Sequence, residues 1–194
     1  MTISFYDNNG QSFFDRTVNL EFKILYDTYT KYLPAGAHIL DAGCGSGRDS
    51  KILMAQGYTV TAFDGSAAMV KLARDYTGLE VQHLTFNQMT YESAFDGVWA
   101  NASLLHVPYN QLPITFDNII KATKKNGIFY ASFKVGTGEK VIQDGRHFTF
   151  FDEAHMRNFV AQFPELLIEE IFTAEDARDA QPDWLRVYMR VIKA

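Results

Sequence analysis

The 194-residue sequence holds a single cysteine, Cys44. An internal disulfide framework is therefore excluded, and stability has to come from a packed core. No apolar run approaches the roughly 20 residues of a membrane-spanning helix. The opening Met1-Thr2-Ile3-Ser4-Phe5 lacks the basic stretch followed by an apolar stretch that marks a secretory leader. A cytoplasmic protein with no membrane partner is the expectation. Basic charge is scarce as well. The formal net charge is −5, and the densest Lys cluster is the short run Lys121 to Lys125. Nucleic-acid binding normally shows as a basic face, so none is expected. Low-complexity segments, linkers and internal repeats are absent, and no metal-ligating set is expected.

What is present is an ordinary globular composition, 47% apolar and 21% charged. That length supports one domain with a full core. Sixteen Phe and ten Tyr suggest either an aromatic-lined pocket or a well-filled interior.

The stretch Ile39-Leu40-Asp41-Ala42-Gly43-Cys44-Gly45-Ser46-Gly47-Arg48-Asp49-Ser50 dominates the rest. It reads as an apolar strand that turns through three glycines into a helix, the arrangement that binds nucleotide-like ligands at the carboxyl edge of a parallel sheet. Glycine accepts positive φ and lets a ligand lie against the backbone. Asp41, at the strand's end, is placed to face the same crevice. A dinucleotide fingerprint needs glycine at the sixth place from Gly43, where Arg48 stands, and no Gly-Lys-Ser/Thr follows to make a phosphate loop.

The pattern Asp-x-Gly-x-Gly-x-Gly resembles motif I of the class I S-adenosylmethionine-dependent methyltransferases. Gly47-Arg48-Asp49-Ser50 with Gly57-Tyr58 is similar to the tellurite-resistance methyltransferases, and the whole to the type 11 and type 12 groups. The resemblance implies that Gly43, Cys44, Gly45, Gly47 and Arg48 cradle the methionine part of the cofactor, with Asp41 meeting its ammonium. It also implies a Rossmann-like, doubly wound, seven-stranded and mostly parallel sheet ending in an antiparallel strand pair.

Taken in order, residues 1–10 read as a polar loop around Asp7-Asn8-Asn9-Gly10, and residues 12–32 as one helix. By resemblance, residues 1–33 form a lid, with Tyr6, Phe14 and Arg16 as candidate cofactor contacts. A helix from Asp49 to Gln56 closes at Gly57, and Tyr58 to Phe63 is a buried strand. Asp64, at the tip of this second strand, is placed to accept hydrogen bonds from ribose hydroxyls. Gly65 follows it, and Ser66 caps the helix Ala67 to Tyr76. Leu79 to Leu84 reads as the third strand. The family's adenine-selecting acid is missing beyond it, leaving Phe86, Asn87 and Gln88 as candidates.

The fourth strand, Phe95 to Ala100, runs into Asn101 and then His106, which resembles the family's motif IV region. Asn101 is a candidate cofactor contact. His106, His147 and Tyr109 are candidate bases, each equally readable as structural. A helix from Asn110 to Lys125 precedes a fifth strand, Ile128 to Phe133. Residues 134–151 read as a loop without strong elements, placed on the substrate side. Within it Arg146 beside aromatics is suited to gripping an anion, with His106 nearby as a second substrate contact. A helix capped by Asp152 and strands Leu166 to Thr173 and Trp184 to Ile192 complete the chain.

The expectation is methyl transfer from S-adenosylmethionine, giving S-adenosylhomocysteine, to a small-molecule acceptor by in-line displacement driven mainly by proximity. The lack of a target-recognition insert argues against nucleic acid as substrate. A monomer or homodimer is expected. The alternative is a non-catalytic module that binds S-adenosylmethionine or S-adenosylhomocysteine for regulation.

Overall fold

The structure, a computed structural model, describes residues 2–20, 22–176 and 183–193. Its centre is a parallel block made by β1 (His38–Ala42), β2 (Thr59–Asp64), β3 (Gln82–His83) and β4 (Phe95–Ala100). β5 (Thr123–Lys134) joins β4 in parallel, and β8 (Leu166–Ala174) and β9 (Trp184–Val191) finish the sheet antiparallel. The seven strands lie in the order β3-β2-β1-β4-β5-β9-β8. Chain direction therefore diverges between β1 and β4, and a doubly wound sheet opens its ligand crevice outside the carboxyl ends at such a point.

Helices α3 (Arg48–Ala55), α4 (Ala67–Thr77) and α5 (Leu112–Ala122) make the crossovers, and α6 (Glu153–Val160) follows β5. Both faces of the central strands are covered. One core layer gathers Leu40, Val98, Phe116, Phe129 and Met189, and the other packs Ile39, Trp99, Tyr130 and Tyr188. In the second layer the Trp99 and Tyr130 rings stack with centroids 4.3 Å apart.

Several boundaries differ from the sequence reading, each for a local reason. The segment read as an N-terminal loop and one long helix is two helices, α1 (Thr2–Thr17) and α2 (Lys23–Thr30). Asp7-Asn8-Asn9-Gly10 is helical because Gly10 marks a close approach, not a turn. A Cβ there would stand 3.1 Å from both Ala68 Cβ and Met69 Cε of α4. The third strand shrinks to two residues, and the fifth begins at Thr123, earlier than expected. Asn126-Gly127, between the helix expected to reach Lys125 and the strand expected from Ile128, is absorbed as an irregularity in β5, with Asn126 at φ +65°. The expected loop 134–151 holds a hairpin of β6 (Glu139–Val141) and β7 (His147–Thr149). Ser66 and Asp152 cap their helices as expected, accepting from the Met69 and His155 amides.

Candidate functional site

The turn after β1 is built on glycine. Gly43, Gly45 and Gly47 take φ values of +77°, +54° and +77°, which side chains rarely tolerate. Gly43 also lets the turn close on the loop after β4, since a Cβ there would meet the Ser103 Cβ at 2.6 Å. The amides of Gly43 and Cys44 both donate to the Phe63 carbonyl of β2, tying the turn to the neighbouring strand. From the tip of β2, Asp64 reaches across the turn. One carboxylate oxygen accepts the Gly45 amide and the other the Ser66 amide, each at 2.9 Å. Burial raises its pKa, and these two amides oppose the rise.

Behind the turn lies a charged hub. Asp49, the second residue of α3, is buried and accepts four donors: Arg48 Nε at 2.6 Å, the Tyr26 hydroxyl at 2.7 Å, Trp99 Nε1 at 2.8 Å and Asn101 Nδ2 at 2.9 Å. These hold its carboxyl ionised against the cost of burial. Asp41 sits next to it, also buried, and accepts the Ser50 hydroxyl at 2.6 Å. Burial first, then the charge of Asp49, pushes the Asp41 pKa up to about 8. The same hub orients the tip of β4. The Asn101 side-chain oxygen accepts the Ser132 hydroxyl at 3.1 Å, and the Ser132 oxygen accepts the Ala102 amide at 2.8 Å.

Helix α1 lies across this crevice. Phe13 is the side chain nearest Gly45, and Ile3 the one nearest Gly65. The Ser66 hydroxyl donates to Asp7 at 2.6 Å. The Tyr6 hydroxyl stands 2.9 Å from His106 Nε2, while His106 Nδ1 stands 2.7 Å from the His147 carbonyl oxygen. A carbonyl only accepts, so Nδ1 carries the proton and Nε2 is the bare nitrogen that Tyr6 donates to. Burial pushes the His106 pKa down to about 4, which keeps the ring neutral.

The structure thus gathers Gly43, Cys44, Gly45, Asp64, Gly65 and Ser66 along one crevice wall, with Asn101 and His106 at the β4 end. Phe86 packs edge-on against Phe63 beside Gly43. Asn87 is exposed and reaches Gln111 at 3.4 Å. Arg48 is committed to Asp49, the Thr17 carbonyl and the Phe22 ring. Arg16 is exposed and turned back on the Ser12 carbonyl of its own helix, and Phe14 packs on Tyr76. In the hairpin, Arg146 pairs with Asp144 and lies over the Phe5 ring, while the Tyr109 ring packs against Phe151 and Phe159, apart from His106. The His147 side chain contacts Thr149 and Glu139. Sequence reasoning passed over Asp49, Tyr26 and Ser132. A charged pair at the start of a buried helix marks Asp49, but nothing in the sequence marks the other two.

A family model described as a methyltransferase domain matches residues 39–127. Over 85 residues the chain is 38% identical to a ubiquinone biosynthesis O-methyltransferase of Xanthomonas axonopodis pv. citri, covering 39% of this chain and 34% of that one. It is 29% identical over 110 residues to a malonyl-[acyl-carrier protein] O-methyltransferase of Erwinia pyrifoliae, covering 53% of this chain and 40% of that one. The chain thus spans about a third of the length of the curated relatives it matches. Among solved structures, Burkholderia thailandensis 1,6-didemethyltoxoflavin-N1-methyltransferase, with bound 1,6-didemethyltoxoflavin and S-adenosylhomocysteine, superposes with a TM-score of 0.83 at 20% identity. That match covers 98% of this chain and 87% of the other. No helix among the described residues is long and apolar enough to cross a membrane.

Proposed function

We propose that this chain is a class I S-adenosylmethionine-dependent methyltransferase that transfers a methyl group from S-adenosylmethionine to a small-molecule acceptor, a reading supported by the methyltransferase-domain match over residues 39–127. The observation that carries the reading is the pairing of a left-handed glycine turn with Asp64 bound across it, at the point where the sheet's crevice opens. Gly45 presents bare backbone there, and the side chain nearest to it is the Phe13 ring, at 3.8 Å from a notional Cβ. That distance is van der Waals contact, so a ligand lying against the turn takes the place of the Phe13 ring, which moves aside with α1. Asp64 keeps acceptor capacity for ribose hydroxyls, because a carboxylate oxygen can accept more than one bond. Phe86 supplies an apolar wall on the adenine side.

When bound, S-adenosylmethionine supplies a methyl group already activated by a positively charged sulfur. The chain's own residues then orient and exclude water. Asn101, fixed by Asp49 and Ser132, and Ser103, which donates to the Ala42 carbonyl at 2.7 Å, hold the floor rigid. α1 roofs the crevice. Holding acceptor and methyl at near-attack distance supplies most of the rate in such a site. A small-molecule acceptor is supported by the names of the O- and N-methyltransferases that the chain resembles. The formal net charge of −5 agrees with this.

Calorimetric titration with S-adenosylmethionine, S-adenosylhomocysteine and NAD in parallel tests the reading. Micromolar binding of the first two and none of NAD is expected, and binding of NAD alone overturns it. The regulatory alternative draws on Tyr6 of α1 resting on His106, and predicts binding without turnover on any acceptor panel.

A further inference from the structure

The Tyr6–His106 contact says more about the acceptor than the cofactor crevice does. His106 is locked in one tautomer by the His147 carbonyl, so the face it turns toward α1 is a bare lone pair that needs an O–H or N–H donor. Tyr6 is that donor in the structure. Its ring is held edge-on by Phe5, Phe13 and His106, with centroids 5.0 to 5.6 Å away. Phe148 closes the far side of the imidazole at 4.8 Å. Burial raises the Tyr6 pKa, and the Arg146 guanidinium, stacked on Phe5 and braced by Asp144, stands beside the hydroxyl and opposes part of that rise.

This neighbourhood discriminates between acceptors. A guanidinium beside the reacting atom suits an oxygen that carries negative charge as its proton leaves. It opposes an amine, which would end as a cation next to a cation. The occupant is also removable. Among the described residues of α1 only Gly10 is buried, and the rest of the helix is held by partly exposed rings such as Phe14 on Tyr76 and by polar contacts from Thr2 and Asp7. Elements with so little buried surface open at low cost.

We propose that Tyr6 is a built-in stand-in for the acceptor: the substrate is a ring-borne hydroxyl, a phenol or enol, which takes the place of the Tyr6 hydroxyl at His106 Nε2 and Arg146 as α1 shifts. The inference rests on the methyltransferase reading of this crevice and names its substrate class.

The test needs no cofactor. In a Tyr6→Ala variant, 4-methylphenol, the tyrosine side chain itself, is titrated against toluene, following the His106 nitrogens by 15N NMR. At least tenfold tighter binding of 4-methylphenol is expected, with a shift of the Nε2 resonance, and the preference disappears in Tyr6→Ala/His106→Leu. Equal binding of the two probes, or a preference that survives loss of His106, overturns the proposal. Tyr6→Phe, which keeps the ring, provides a second reading. Amide exchange in α1 is expected to quicken at least fivefold as the Nε2 resonance moves, and no change in either overturns it. A parallel titration with S-adenosylhomocysteine separates the two claims. Its failure to bind removes the methyltransferase reading, whereas its binding together with equal phenol and toluene affinities removes only the substrate class.

Discussion

Trp99 of β4 donates its indole N–H to the Asp49 carboxylate of α3 across 2.8 Å, and this bond joins the two walls of the crevice. The same carboxylate takes Tyr26 from α2, Asn101 from the β4 tip and its own neighbour Arg48. Asp49→Ala therefore strands a buried guanidinium and three donors at once. A loss of roughly 3–5 kcal/mol is expected, the cost of breaking a buried ion pair from one side. Urea unfolding of the variant measures it, and a loss below about 1 kcal/mol would show that the hub is not needed.

Asp64→Asn tests the cofactor wall. The exchange keeps shape but removes the charge that Gly45 and Ser66 now donate to. Affinity for S-adenosylhomocysteine should fall by about 1.5–3 kcal/mol, the range for one charge-assisted bond, and the melting temperature should fall too, because the new NH2 faces one of the two amides that Asp64 now accepts. Calorimetry at one fixed salt concentration checks this.

Asp41 makes stability depend on pH. Its pKa is near 8 in the fold against an ordinary value of 3.8, so the folded state binds a proton that the unfolded chain has lost. The contribution is complete below the unfolded value and disappears as pH rises through about 8. Asp41→Asn, neutral at every pH, should gain on the native protein between pH 5 and 8, by up to about 1.4 kcal/mol per pH unit. Urea midpoints at pH 5.5 and 7.5 give the comparison, and parallel curves for the two proteins would refute it.

His106 moves the other way. Burial depresses its pKa to about 4, below the usual 6.5, so the unfolded chain takes up a proton first. Its contribution is present above pH 6.5 and falls away toward pH 4. An imidazole titrating near 6.5 in the folded protein, followed by NMR, would contradict the buried placement.

Gly97 sits where β4 passes beneath Tyr29, and a Cβ there would fall 2.2 Å from the Tyr29 hydroxyl oxygen. Gly97→Ala should destabilise by about 1–3 kcal/mol through overpacking. That hydroxyl is buried and finds no hydrogen-bond partner among the described residues, so Tyr29→Phe should stabilise by about 1 kcal/mol. Thermal unfolding of both variants decides the matter.

The crevice was legible in the sequence because its chemistry is local. Gly43, Gly45 and Gly47 are needed by the turn itself, and Asp64 and Ser66 lie where a strand must end and a helix begin. Long-range contacts were not legible. Gly10 looked like a turn residue, since only the packed structure shows α4 pressing against it. Asp49 was passed over, because apart from its neighbour Arg48 its donors come from α2 and from the end of β4, far away in the chain. The hairpin β6–β7 was missed because three-residue strands leave no periodicity to read.

The sheet order carries a consequence for how the protein is made. β5 is flanked on one side by β4 and on the other by β9, which follows it only after the hairpin, α6 and β8. As the chain leaves the ribosome, the crevice wall from β1 to β4 can assemble while β5 still offers an open edge. Such an edge invites pairing with other chains. Nascent protein halted before β9 should therefore be the species that seeks a chaperone or aggregates, whereas β9, once made, covers that edge of β5.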